Sequence, residues 1–196
     1  MKLETERLIL RKIKENDIEI FYNLIDKDIA KNLWMKWPIT KKECKEIVLK
    51  WSKQWKEKKR FTFVIQLKKN KKSIGVMSIK KINTLHGLAE LSGFVGREFR
   101  KSGYITEANI AINDFAFNGL GLRKLKSEVT SFNLKSQNIQ KKFGMKLEGI
   151  MKKEWFNPTT KTYVTMYSFG LFKEDWKKIS PKLKKELKEK IKRLEK

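Results

Sequence analysis

The sequence predicts an α/β (α+β) fold: a single mixed, mostly antiparallel seven-stranded sheet with helices on both faces. Three observations carry that expectation. The hydrophobic periodicity switches between strand and helix spacing in the order strand, two helices, three strands, helix, strand, helix, two strands. The apolar runs between residues 61 and 95 are joined by short polar loops, which suits antiparallel neighbours. The strands near 89–95 and 125–129 are separated by a helical segment, which makes that pair a parallel crossover.

In chain order, Arg7 to Ile13 reads as the first strand, and Glu15-Asn16-Asp17 opens a helix with Ile18, Phe21, Leu24 and Ile25 on its apolar face. A loop from Asn32 to Ile39 carries Trp34 and Trp37. These could line a ligand groove, but they read first as packing at a core edge. Thr40 and Glu43 form a capping box before a helix bearing Cys44, Ile47, Val48, Trp51 and Trp55. Phe61 to Leu67 and Ser73 to Ile82 form a hairpin, and Ala89 to Val95 follows as a further strand. Thr106 to Asn118 is helical, and Leu125 to Val129 is a strand. Ser131 to Phe143 is a helix stopped by Gly144, and a last hairpin turns at Asn157-Pro158.

Ser180 to Lys196 is a lysine-rich helical tail with Leu183, Leu187, Ile191 and Leu194 on one face. The main domain is expected over residues 1–176 and a basic amphipathic C-terminal helix over 177–196. That stripe could dock on the domain, pair two copies as a homodimer, or lie on a charged surface.

Composition narrows the function. The chain has 196 residues, 40% of them apolar, enough for one domain with a sizeable core. Charged residues make up 35% and the net charge is +25, carried by lysine, with only seven arginines. Such a chain suits nucleic acid or a ribosome, an anionic membrane surface, or an acidic nucleotide cofactor. Much of the lysine is also interleaved with glutamate, as in a general compositional habit. One cysteine, Cys44, excludes an internal disulfide and a structural zinc site, and His86 is the one histidine. No carboxylate cluster has metal-ligand spacing, no run is long enough to span a membrane, and the N-terminus has no signal-peptide core. A soluble cytoplasmic protein without a metal is the expectation.

The stretch that draws the rest together is Phe94 to Ala108, where a strand end becomes a charged turn of Arg100, Lys101, Ser102 and Gly103 and then a helix from Thr106. A strand that passes through a Gly-bearing loop into a helix aims backbone N–H groups and the positive end of a helix dipole at one place, which can hold a phosphate. On these residues alone, a solvated turn with Ser102 capping the helix is the simpler explanation.

The order and the residues together resemble the GNAT superfamily of acetyl-coenzyme A dependent N-acetyltransferases, and within it the RimJ/RimL-like branch that acetylates protein N-termini. The resemblance covers residues 3 to about 176. It rests on LETERLILRKIKENDIE, on AELSGFVGREFRKSGYITEA and on NLKSQNIQKKFGM, in that order. The second matches a cofactor loop of Gln or Arg, two residues, Gly, one residue, then Gly or Ala. The third matches Asn, two residues, Ser, then a Lys-x-Gly-aromatic ending, with Met145 at the last place.

The resemblance implies that Arg100, Lys101, Ser102, Gly103, Tyr104, Ile105 and Thr106 hold the pyrophosphate of coenzyme A. It implies that Phe94 and Val95 pair with the pantetheine arm through their main chain, and that Asn133 and Ser136 approach the arm from the other side. Two positions depart from the pattern: Ile105 stands where Gly or Ala is usual, and Gln140 stands near the Tyr that protonates the leaving thiolate in many members. Ser136 or water then becomes the candidate proton donor. Glu90, on the strand leading to the loop, matches a position that carries a catalytic Glu in some members and is the candidate base. The alternative role for Glu90 is to position the acceptor amine.

Acetyl transfer to an amine needs a neutral nucleophile, and an α-amine with a pKa near 7.7–8.0 needs less help than a lysine side chain near 10.4. The implied activity is acetylation of a protein N-terminal amine, with acetylation of a small amine such as a polyamine or an aminoglycoside as the alternative. A basic RNA- or ribosome-binding module with weak or no catalysis is the reading from another class.

Overall fold

The computed structural model describes residues 1–194; the last two residues of the expected tail lie outside them. The chain forms β1 (Lys2–Glu4), β2 (Leu8–Lys12), a 3-10 turn, α1 (Ile18–Leu24), α2 (Lys27–Asn32), α3 (Lys41–Lys56), β3 (Phe61–Leu67), β4 (Ser73–Asn83) and β5 (Leu88–Val95). It continues with α4 (Tyr104–Asp114), β6 (Lys124–Thr130), α5 (Leu134–Lys142), β7 (Lys146–Asn157), β8 (Thr162–Phe172) and α6 (Lys173–Leu194).

The strands make one sheet in the order β1-β2-β3-β4-β5-β6-β8-β7, with β5–β6 the parallel pair and the others antiparallel. It has eight strands rather than the expected seven. The extra strand, β1, adds three residues to the edge of β2. A segment that short carries too little side-chain alternation to be read as a strand from sequence.

Side-chain alternation on the central strands builds a core on each face. Phe63, Ile65, Met77 and Ile79 point into one core, shared with Ala108, Ile112 and Phe117 from α4 and the turn after it. Val64, Val76 and Phe94 point into the other, shared with Phe21 of α1 and Cys44 and Val48 of α3. The capping box at α3 forms as its residues dictate: the Thr40 hydroxyl accepts from the Glu43 N–H, and the Glu43 carboxylate accepts from the Thr40 N–H at 2.7 Å.

The C-terminal helix begins at Lys173, not at Ser180, and runs as one 22-residue element through Pro181. Ser180-Pro181 resembles a helix start in sequence, but the register is fixed upstream by Trp176. That side chain is 2% exposed, stacks against Phe117 and Phe143, and donates from Nε1 to Asp114 at 2.9 Å. Farther along, Leu183 and Ile191 are buried and Leu187 packs on the same core. The apolar stripe of the tail is therefore covered by its own domain from Leu183 to Ile191, while Leu194 stays exposed, and ion pairs Lys184–Asp114 and Lys142–Glu186 hold its flanks.

Replacing Trp176 with Ala leaves a cavity where three rings stack. We expect it to lower the unfolding free energy by about 3–5 kcal/mol in a denaturant titration.

Candidate active site

The sheet is not continuous at its centre. β5 and β6 pair through Leu88, Ala89 and Glu90 against Lys124, Leu125 and Lys126, and then separate. β4 remains paired to β5 up to Val95. The edge of β5 from Leu91 to Val95 that faces β6 therefore has no strand beside it. A cleft of about 390 Å³ opens there, walled by β5, β6, the start of α4, α2 and α5. Backbone N–H and C=O groups on an open strand edge need partners, and an extended, amide-bearing chain is the ligand that supplies them.

The loop at one end of this cleft has two left-handed residues, Lys101 at φ 71° and Gly103 at φ 82°. Gly103, and not Ser102, is the cap residue of α4, and no side chain bonds to the helix's first N–H groups. These donors are left for a ligand, with the helix dipole behind them. Arg100, Lys101, Gly103, Tyr104 and Ile105 line the cleft, while Ser102 and Thr106 do not. Ile105 sits inside the first turn of α4 and also packs against the core. A helix tolerates a β-branched residue at small cost, and packing of Ile105 on the core offsets it, so the position does not need the small residue usual there.

Arg100 is not a free cation. Its guanidinium bonds Asp28 at 2.8 Å and lies 4.0 Å from Asp26, tying the loop to the start of α2. Beneath the loop, Glu107 is 1% exposed. It accepts from Thr5 at 2.6 Å, from the Arg7 N–H and from the Arg7 guanidinium, whose carbon lies 4.5 Å from the Tyr104 ring centre. The first turn of α4 is thus fastened to the chain's N-terminal strands.

Phe94, Val95, Asn133 and Ser136 all line the cleft, as does Gln140. The Asn133 carbonyl caps α5 by accepting from the Ser136 N–H at 3.1 Å. The loop, the β5 end and α5 thus come together around one space.

Glu90 is not brought into that space. It is buried, and its carboxylate contacts Lys80 at 2.5 Å and Lys81 at 2.7 Å. Burial alone would push this carboxyl up, but the two ammonium groups outweigh it and hold it below the usual carboxylate range. The cleft carboxylate on the sheet is Glu128 of β6 instead, whose Oε2 is buried with no hydrogen-bond partner. Sequence reasoning passed over Glu128 because KLKSEVT reads as a strand with an outward charged face. The one signal for it is its place on the strand leading directly to Asn133.

Cys44 is buried in α3, and burial first, then Glu43, pushes its thiol up to about 11, so it is no nucleophile. Among the described residues no His, Cys, Asp and Glu group could hold a metal ion, and no helix is long and apolar enough to cross a membrane.

The β7–β8 hairpin is tied to the segment that follows α2. Asn157 Nδ2 donates to the Lys31 carbonyl at 2.8 Å, Thr159 Oγ1 donates to the Met35 carbonyl, and Trp34 stacks on Trp155 at 5.7 Å. Lys80 lies 5.6 Å from the Trp34 ring centre.

A depressed folded pKa means that the Glu90 ion pairs stabilise the fold fully above the ordinary value of 4.5 and are lost as pH falls through the lower folded value. We expect the Glu90→Gln protein to lose less stability than wild type between pH 5 and pH 3, followed by thermal unfolding across that range.

Comparison with known proteins agrees with this geometry. Residues 7–146 match the family described as Acetyltransferase (GNAT) domain. YoaA of Bacillus subtilis, an uncharacterized N-acetyltransferase, is 23% identical over 167 residues, 85% of this chain and 94% of its own. The spermidine N-acetyltransferase of Vibrio cholerae, solved with CoA and spermine, superposes with a TM-score of 0.78 at 21% identity, covering 88% of this chain and 99% of its own. The ribosomal-protein-S5-alanine acetyltransferase of Vibrio fischeri superposes with a TM-score of 0.76 at 21% identity, covering 90% and 98%. The open β5 edge and the uncapped α4 terminus fit the long amide arm and the pyrophosphate of coenzyme A. With the family match over most of the chain, the protein belongs to the GNAT acetyltransferase family and is an acetyl-CoA-dependent N-acetyltransferase.

Proposed function

We propose that this acetyltransferase acts on a protein N-terminal α-amine, in the manner of the RimJ/RimL-like branch, with Glu128 as its general base. The observation that carries the reading is the buried, unpartnered Glu128 Oε2 on the wall of the cleft opposite the open β5 edge.

Acetyl-CoA supplies the activated acetyl group as a thioester. Glu128 accepts a proton from the acceptor ammonium, directly or through one water, and leaves the amine nitrogen free to attack. An α-amine titrates close enough to neutrality for a carboxylate to suffice. A main-chain N–H at the β5 end, near Phe94 and Val95, donates to the carbonyl oxygen as charge builds on it. The departing sulfur needs a proton, and Gln140 has none to give. The Ser136 hydroxyl, on the cleft wall, relays to the sulfur the second proton, which the acceptor nitrogen gives up as the amide forms, and is itself left neutral. Lys101 and the N–H groups from Gly103 to Ile105 hold the pyrophosphate, Arg100 holds the loop to α2 beside them, and Asn133 keeps α5 in register.

Glu90 takes the positioning role. Its carboxylate fixes Lys80, which lies over the Trp34 ring, and Lys81 on the approach this reading assigns to the acceptor. Those ammonium groups and Lys31, whose ammonium lies over Phe132, make the entrance cationic. A peptide carrying one amine tolerates that better than a polyamine does. The polyamine reading has one observation in its favour: Asp28 and Glu128 place two carboxylates on the cleft wall.

Glu128→Gln is expected to reduce kcat by about 100-fold or more with peptide acceptors, while Glu90→Gln changes kcat less than about tenfold and raises KM for the acceptor. Thiol release with acetyl-CoA, measured with N-terminal peptides and with spermidine, checks both. A kcat for Glu128→Gln within a few-fold of wild type would remove Glu128 as the base, and faster turnover of spermidine than of any peptide would replace the acceptor.

A further inference from the structure

We infer that Lys190 of α6 is a positioning residue for coenzyme A, supplied to the phosphate-binding turn from outside the matched family region. It rests on the coenzyme cleft and is independent of which amine is acetylated.

The family match ends at residue 146, so α6 belongs to the part of the chain beyond it. The helix does more than cover the core. Leu183 and Leu187 seat it on the core beside α4 and Ile191 is buried farther along, and this delivers Lys190 to the loop. Lys190 Nζ donates to the Lys101 carbonyl at 2.9 Å. Its stem runs past Gly103, where an added Cβ would lie 3.5 Å from Lys190 Cδ. Lys190 does not line the cleft, whereas Lys101 does, so the contact is made from behind the turn.

The chemistry of that turn explains why a donor is needed there. Lys101 holds φ 71°, a conformation that disfavours any residue with a Cβ and persists only when neighbours fix it. The bond from Lys190 fixes the Lys101 carbonyl outside the cleft. The following N–H groups, at Gly103 and the start of α4, are then left to the ligand.

The second part of the argument is charge. A cation near a helix N-terminus is unfavourable unless an anion is present to offset it. Arg7, which also lies beside Gly103, is neutralised by Glu107. Lys190 binds a carbonyl rather than a carboxylate, so this contact leaves its charge intact. A pyrophosphate on the α4 terminus makes that placement favourable.

The test is coenzyme A binding by titration calorimetry, alongside KM for acetyl-CoA and kcat, on the full chain. Lys190→Ala is expected to weaken coenzyme A binding and raise KM for acetyl-CoA by roughly three- to tenfold, with kcat within about twofold. Lys190→Arg, which keeps both donor and charge, restores the affinity. Lys185→Ala, an exposed lysine on the same helix, leaves it unchanged. If Lys190→Ala lowers folding, Lys190→Met keeps the stem and isolates the ammonium group. Unchanged affinity in Lys190→Ala, or an equal loss in Lys185→Ala, overturns the inference and leaves the coenzyme cleft standing. Failure of the wild-type protein to bind coenzyme A overturns both.

Discussion

Everything at this site follows from the sheet's failure to close between β5 and β6. Two parallel strands that pair over three residues and then separate leave a row of main-chain donors and acceptors on β5 with no strand beside them. In a packed interior such groups need partners. The protein keeps them accessible by walling the gap with α2, β6, the start of α4 and α5 instead of filling it with side chains. The parallel pairing makes the gap feasible, because α4 is the crossover and its N-terminus is placed at the open end. An open strand edge and an uncapped helix terminus at one end of it are thus two consequences of one topological feature.

The gap is held open by ties between distant parts of the chain. Arg100 reaches α2, Glu107 reaches β2 through Arg7, Lys190 reaches the turn from α6, and Asn157 and Thr159 join the last hairpin to the α2–α3 segment. Most of these contacts are charge-assisted or involve a buried partner. Charge-assisted and buried bonds carry more energy than exposed pairs. The lysine-rich surface contributes little to this frame, since most of its ion pairs are solvent-exposed.

Much of this was legible in the sequence because hydrophobic period is a direct readout of the face a residue occupies. The succession of strands along the chain, the parallel crossover, the Thr40–Glu43 box and the Gly144 stop all follow from local pattern. The loop from Arg100 was legible as a likeness to a known cofactor site. What was not legible depended on three-dimensional neighbours. Ser102 has the chemistry of a cap, but the backbone turns left-handed at Gly103 and takes the cap position there. Ser180-Pro181 resembles a helix start, but Trp176 has already locked the helix to Asp114. Glu90 and Glu128 look alike as strand carboxylates. Only the structure shows that two lysines clamp Glu90 and that Glu128 faces the cleft unpaired.

On the reading proposed here, the open edge of β5 and the first turn of α4 receive one ligand, the amide arm and pyrophosphate of acetyl-CoA. Amide hydrogen exchange with and without acetyl-CoA is the decisive measurement. The expected result is new protection concentrated in residues Leu91 to Val95 and Gly103 to Thr106, with α3 unchanged. Saturating acetyl-CoA with no slowing in either segment would contradict it.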